Sequence, residues 1–313
     1  MSANVSQDER SRQMHYRELC ARHWLPLHFQ PWWLDAVSGG PEHWGVCLSA
    51  DRGGQPTAAL PWVRARRWGM PVLRLPPFTS YAGPWYFYPE NPDFKEISRL
   101  AFEKKTAAEL IAQLPGRVFF RQNFRPEITN WLPFYWAGYR QTTRYTYRLD
   151  PAATREQDWE NTLRTDLKKA RARLDIYSDP DSPDRLFELY QSSLSHQNLP
   201  PSRRRAAFDR LMSVLRSRDQ CRVLLARDRK TEQLVAGLWL AFDQREAALL
   251  LTGADSAGRR HAATPALMAA AIDFCREKQL ILDFEGSMNE GQERLFRAFA
   301  GRLTPYFAVS KWL

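Results

Sequence analysis

RRHAATPALMAAAIDFCREKQLILDFEGS, residues 259–287, decides how this chain is read: small residues lead into a helix, and the helix runs into a strand ending in carboxylates. Thr264 suits the N-cap, and Pro265 suits the first helical position, where its missing N–H costs nothing and its fixed φ fits the turn. Leu267, Met268, Ala271, Phe274 and Cys275 recur at helical spacing, so one face is buried. Arg276 and Lys278 sit in the last turn, where cations complement the helix dipole. At the open end, after Arg259, Arg260, His261, Ala262 and Ala263, unpaired N–H groups and a positive partial charge favour an anion such as a pyrophosphate. An ordinary capped helix behind a surface loop is the alternative.

Upstream, CRVLLARD, LVAGLWLAFD and EAALLLTG read as three strands joined by the turns DRKTEQ and DQRE. Before them come helices over 183–195 and 203–216, and one in which Leu163, Leu167, Ala170 and Leu174 form a stripe beside Arg164, Lys168 and Arg171. Downstream, QERLFRAFAG reads as a helix and YFAVSK as a strand. Polar DPAATREQD, from Asp150, marks a boundary between halves 1–150 and 151–313. The first half offers a short helix in FQPWWLDAVSGG, opened by Pro31 and stopped by Gly39 and Gly40. Strands WGVCLSA and TAALPWVRAR follow, then the proline-punctuated LRLPPFTSYAGPWY, a helix over 94–114, and strands RVFFRQNF and YRQTTRYTYRL flanking an aromatic helix, TNWLPFYWAG. Helices, an antiparallel meander, a crossover helix and a further strand predict a mixed α/β (α+β) fold.

The chain has 313 residues, a formal net charge of +10 and a pI near 9.6. Such a balance suits a phosphate-bearing partner, whether coenzyme, RNA or anionic membrane surface, and equally a merely basic protein. Cys20, Cys47, Cys221 and Cys275 lack CxxC spacing and read as reduced thiols. No apolar run is long enough to span a membrane, and the polar start has no hydrophobic signal region, so a cytoplasmic protein is expected. The six histidines show no metal-ligand spacing, and no serine lies in a GxSxG elbow. No metal is expected.

The order of three strands, phosphate-suited turn, helix and strand resembles the Gcn5-related N-acetyltransferase (GNAT) fold. In that family a Gln/Arg-x-x-Gly-x-Gly/Ala turn binds the coenzyme A pyrophosphate. Arg259, Ala262 and Thr264 stand at the corresponding spacing, with Ala262 replacing glycine and Thr264 the last small residue. The segments FQPWWLDAV, PPFTSYAGPW, RQNFRPEITNWLPFYWAGYRQTTRYTY, LRTDLKKARAR and LILDFEGSMNEGQERLFRAFAG resemble the Fem-like branch, whose members include aminoacyl-tRNA-dependent transferases of peptidoglycan synthesis. The resemblance implies two GNAT-like halves, each a mixed, mostly antiparallel sheet flanked by helices. The N-terminal half would contribute to the acceptor side and the C-terminal half would hold the donor.

It also implies acyl transfer from acetyl-CoA or another acyl-CoA to an amine on a small molecule or peptide. Aminoacyl-tRNA as donor, or a non-catalytic ligand-binding scaffold, are the alternatives. The expected cofactor turn comprises Arg259, His261, Ala262, Ala263 and Thr264. In LILDFEGS, Asp283 and Glu285 are two apart and would share one face of a strand, with Glu285 the candidate base or amine-orienting group. Tyr306 is the candidate acid for the thiolate, a role some GNAT enzymes give a tyrosine. Tyr81, Trp85, Asn123, Arg144 and Ser287 are candidate substrate-binding residues; for Ser287, capping of the following helix is the alternative. Trp131, Phe134, Tyr135 and Tyr139 fit the buried side of a short helix, with a stacking platform as the other reading.

Overall fold

The computed structural model describes residues 7–91, 94–116, 118–286 and 288–313. Contacts divide the chain into two compact units, Met1–Arg144 with Pro305–Leu313, and Tyr145–Thr304. Among the described residues no helix is long and apolar enough to cross a membrane.

The first unit opens with α1 (Gln7–Arg22), in a segment whose polarity gave no sign of a helix. It buries only Gln13, Tyr16 and Leu19, three residues apart, and Gln13 Nε2 donates to the carbonyls of Pro41 (2.8 Å) and Trp44 (2.6 Å). Helix α2 (Pro31–Ser38) begins at its proline and ends at Gly39, whose φ of 96° makes the left-handed stop. Then come β1 (Trp44–Ala50), β2 (Pro56–Arg67), β3 (Met70–Arg74), the short β4 (Trp85–Tyr86), α3 (Glu96–Ala112), β5 (Phe119–Asn123) and α4 (Leu132–Trp136). Strand β6 (Arg140–Leu149) carries the chain into the second unit.

There α5 (Asn161–Arg173), β7 (Leu174–Ser178), α6 (Pro183–His196), α7 (Arg205–Ser217), β8 (Cys221–Asp228), β9 (Leu234–Phe242) and β10 (Glu246–Ala254) follow in order. After them come α8 (Ser256–Arg260), α9 (Ala263–Lys278), β11 (Ile281–Asp283) and α10 (Glu290–Ala298). Strand β12 (Arg302–Trp312) returns the chain to the first unit.

In the second unit β7, β8, β9 and β10 form an antiparallel meander, and β10 then pairs in parallel with β11. Strand β11 pairs in turn antiparallel with β6, through Leu282↔Leu149 and Asp283↔Arg148. Residues on β9 alternate between two helical layers. Ala236 and Leu238 join the core with Ala263, Ala266, Leu267 and Ile272 of α9. On the other face a Cβ at Gly237 would meet Leu186 of α6 at 2.7 Å, and Trp239 packs on Phe208 of α7. In the first unit β1, β2 and β3 are antiparallel, β3 pairs in parallel with β5, and β5 pairs antiparallel with β12. Its cores are aromatic: Trp62, Phe120, Phe124, Phe134 and Tyr139 in one cluster, and Tyr16, Phe29 and Trp44 in another.

Candidate active site

Strands β10 and β11 pair at Glu246↔Ile281, Ala247↔Leu282 and Ala248↔Asp283, and part there. Beyond that point β10 runs on to Ala254, and among the described residues only β9 pairs with it there. Asp255 N–H donates to the Val235 carbonyl on β9 (3.0 Å), so by strand alternation the N–H and C=O of Ala254 face away from β9. Ser193 of α6 takes both: its Oγ accepts from Ala254 N–H at 2.8 Å and donates to Ala254 O at 3.1 Å. Arg259 also turns back, its Nη1 lying 2.7 Å from the same carbonyl.

The segment expected to be a loop is a short helix followed by a break. Asp255 caps α8 by accepting from Gly258 N–H at 2.7 Å. Ala262, at φ 52°, occupies the N-cap of α9, which starts at Ala263. Thr264 is therefore not the N-cap but lies one place inside the helix, and the cap position makes no side-chain hydrogen bond. The left-handed Ala262 shifts the start towards the N-terminus, so Pro265 falls in the third helical position. With Ala266 N–H bonded to Ala262 O and Pro265 lacking an N–H, the amides of Ala263 and Thr264 stand outside the intrahelical ladder. His261 lies beside them, its Nε2 3.9 Å from Asp228, a carboxylate held by Arg173 at 2.8 Å.

Asp283 and Glu285 do not share a strand face. Strand β11 ends at Asp283, and Glu285 (φ 62°) and Gly286 (φ 75°) are left-handed. Asp283 is 6% exposed, and its Oδ1 accepts from Thr146 Oγ1 and from Glu285 N–H, both at 2.7 Å, while Arg148 Nε lies 3.6 Å from Oδ2. The aspartate thus fixes the turn that carries Glu285. Ser287 lies outside the described residues. On α10, Asn289 is the cap, accepting from Gln292 N–H at 3.2 Å.

In the first unit, Tyr81, Asn123, Arg144 and Tyr306 come together. Ala82 N–H donates to Asn123 O (2.7 Å), Asn123 Nδ2 to Ser80 O (3.0 Å), and Gly83 N–H to Gln122 Oε1 (3.0 Å), laying the 80–83 loop along β5. Glycine is required at 83, because φ is 92° and a Cβ would sit 2.3 Å from the Phe124 ring. Tyr81 meets Tyr306 edge to face at 5.2 Å, and Arg144 Nε donates to the Tyr306 oxygen at 3.2 Å. Trp85 stands apart, packed on Trp24 (5.7 Å) and Phe29 (5.8 Å).

Sequence reasoning missed His28, Thr79 and Arg125. His28 is buried against Trp33 (4.9 Å) and Tyr81 (6.1 Å), and Trp33 Nε1 donates to Thr79 Oγ1 at 3.0 Å. Burial, with the nearby Arg125 cation adding to it, pushes the His28 pKa down to about 3. The signal was available, since a histidine in LPLHFQPWW and an arginine in RQNFRPE are polar residues inside apolar runs. The α4 cluster divides. Phe134 and Tyr139 are buried as expected, but Tyr135 is exposed, because Leu132, Tyr135 and Trp136 line the outer face of α4.

Among the described residues no group of His, Cys, Asp or Glu is arranged to hold a metal. Burial raises the Cys47 and Cys275 thiols to about 12, which removes them as nucleophiles. Residues 157–296 match the acetyltransferase (GNAT) domain family, which takes in the β10–β11 parting, both helices of the turn, and Asp283 with Glu285. The second unit therefore carries the match to the GNAT domain family, and the chain as a whole has a Fem-like fold. FemX aligns over 94% of this chain and 95% of its own at TM-score 0.66 and 9% identity. The C-terminal domain of a candidate lysylphosphatidylglycerol synthetase from Agrobacterium fabrum aligns over 96% and 92% at 0.55 and 14%. A tandem GNAT protein from the clavulanic acid biosynthesis pathway aligns over 99% and 96% at 0.50 and 13%. No curated protein matches the chain in sequence.

Proposed function

We propose that the second unit moves an acyl group from acyl-coenzyme A to an amine on a small molecule or peptide. The parting of β10 and β11 carries the reading, because it opens a strand edge immediately ahead of the α9 N-terminus, where a linear thioester arm and its pyrophosphate fit in sequence. His261, Ala262, Ala263 and Thr264 would line the pyrophosphate, whereas Arg259 is engaged with Ala254 and would have to swing out. The amine attacks the thioester carbonyl, a C–N bond forms and the C–S bond breaks. Glu285 is assigned the amine proton, with Asp283 as its positioning residue, and Tyr306 the proton that returns to the thiolate. Tyr81, Asn123 and Arg144 are assigned to acceptor recognition, Arg144 supplying a cation suited to a carboxylate or phosphate on the acceptor.

Ser193 and Arg259 favour a second reading. They already satisfy Ala254, the position where the coenzyme arm would add to β10, and aminoacyl-tRNA needs no such arm. Calorimetry with acetyl-CoA separates the two. Binding by the wild type, weakened at least about tenfold by a carboxylate in the first turn of α9 (Thr264→Glu), supports the coenzyme. No heat, together with charged-tRNA binding that weakens steeply with salt, supports the tRNA. With either donor, Glu285→Gln lowers kcat by about a hundredfold or more.

A further inference from the structure

The turn between β2 and β3 carries a tryptophan where chain geometry disfavours one. The strands pair through Arg67↔Met70, so Trp68 and Gly69 alone make the bend, and both have positive φ, 51° and 79°. A two-residue turn with both φ values positive selects Asn-Gly or Asp-Gly, and a bulky side chain at the first place is strained. Trp68 gains no burial in return. It is 82% exposed, and Met70 beside it is 43% exposed.

The charge around this tip is one-sided. Between Asp51 and Glu90 there is no acidic residue, while Arg52, Arg64, Arg66, Arg67 and Arg74 all fall in that interval. Arg64 lies against Trp62 and Glu9, whereas Arg66, Arg67 and Arg74 are exposed on the two strands of the hairpin. The Arg67 guanidinium lies 4.3 Å from the Trp68 ring centroid.

We propose that this hairpin tip docks the protein on an anionic phospholipid surface, Trp68 and Met70 entering the boundary between headgroups and acyl chains while Arg66, Arg67 and Arg74 meet lipid phosphates. Tryptophan is suited to that boundary because its ring is apolar and its N–H polar, and arginine because its stem lies along apolar surface while its head stays with the phosphates. Each basic residue near such a surface adds an attraction that salt screens. A bilayer fits better than RNA. Arg67 covers one face of the indole, and Met70 and Pro71 offer a base no hydrogen bond. Docking of this kind does not depend on which donor or acceptor the enzyme uses.

Flotation of the whole protein with phosphatidylcholine vesicles, with and without phosphatidylglycerol, is the test. The wild type should float with the anionic vesicles at low salt and lose most of that binding at high salt. Trp68→Asn places the residue that the turn prefers, so it should fold at least as stably and yet bind at least about tenfold more weakly. Removing Arg66 or Arg67 should each weaken binding about fivefold. The proposal is overturned if the wild type stays with the protein-only fraction, if Trp68→Asn floats equally well, or if the loss in that variant appears only in binding to RNA.

Discussion

In the second unit the sheet is covered by small and aliphatic side chains, Ala236, Leu238 and Leu240 under Ala263, Ala266 and Leu267, whereas in the first the interior is Trp33, Trp44, Phe120, Phe124 and Phe134. Of the twelve tryptophans only Trp159 and Trp239 belong to the second unit. Aliphatic residues need no partner, so helix and strand approach to backbone contact: at Gly253 an added Cβ would stand 2.3 Å from the Tyr190 amide nitrogen. Buried aromatics with polar edges demand acceptors. Tyr16 donates to Phe29 O (2.7 Å), Trp33 to Thr79, and Trp44 to Asp35 (2.8 Å). In the second unit the approach is to backbone, whereas at these three aromatics of the first unit directed hydrogen bonds are added, so the two respond to different perturbations.

The closest approach should fail hardest. Gly253→Val forces α6 off β10 and, by overpacking, should cost about 3 kcal/mol. Urea unfolding followed at a probe in each unit would show the second unit's transition move first. A variant as stable as the wild type would mean that α6 yields freely and that closeness is not what holds it. The same displacement carries Ser193 away from Ala254, so donor binding should change in this variant before global unfolding.

The directional unit should respond to protons instead. His28 titrates near 3 when folded and near 6.5 when unfolded, so below about pH 6.5 the unfolded chain binds a proton that the native state refuses. Its contribution is fully present above pH 6.5 and is lost as pH falls towards 3, amounting to about 2 kcal/mol between pH 7 and pH 5. Stability measured at both pH values for the wild type and His28→Phe gives the difference. Equal slopes would exclude His28 as the source.

How far the sequence revealed this arrangement follows from the same contrast. Helix α9 could be read because Leu267, Ala271 and Cys275 repeat on one face, and aliphatic burial leaves a period. Its start could not, since Ala262 is left-handed, a conformation for which alanine has no local preference. Nor could the end of β11, where alternation predicted one face for Asp283 and Glu285 but the Asp283 hydrogen bonds turn the chain at once. Ser193 is an ordinary helix residue until folding sets it against Ala254. In the first unit the motif segments were visible as words, FQPWW, PFTSYAG and RQNFRPE. Their joint meaning was not, because Trp33–Thr79 and Arg144–Tyr306 span 46 and 162 residues.

Tyr306 tests whether the directional unit reaches into the chemistry. Its phenol oxygen accepts from Arg144, and its ring packs edge to face on Tyr81. Tyr306→Phe keeps the packing and removes the oxygen. Arg144 is only half-buried and can turn to water, so the stability cost should stay near 1 kcal/mol. If the tyrosine supplies the thiolate's proton, kcat should fall roughly tenfold with the acceptor KM unchanged, the pattern of an interaction made only in the transition state. If it serves acceptor binding through Arg144, KM should rise and kcat hold. Loss of neither would leave Tyr306 a packing residue, and the direction built into the first unit would then serve stability alone.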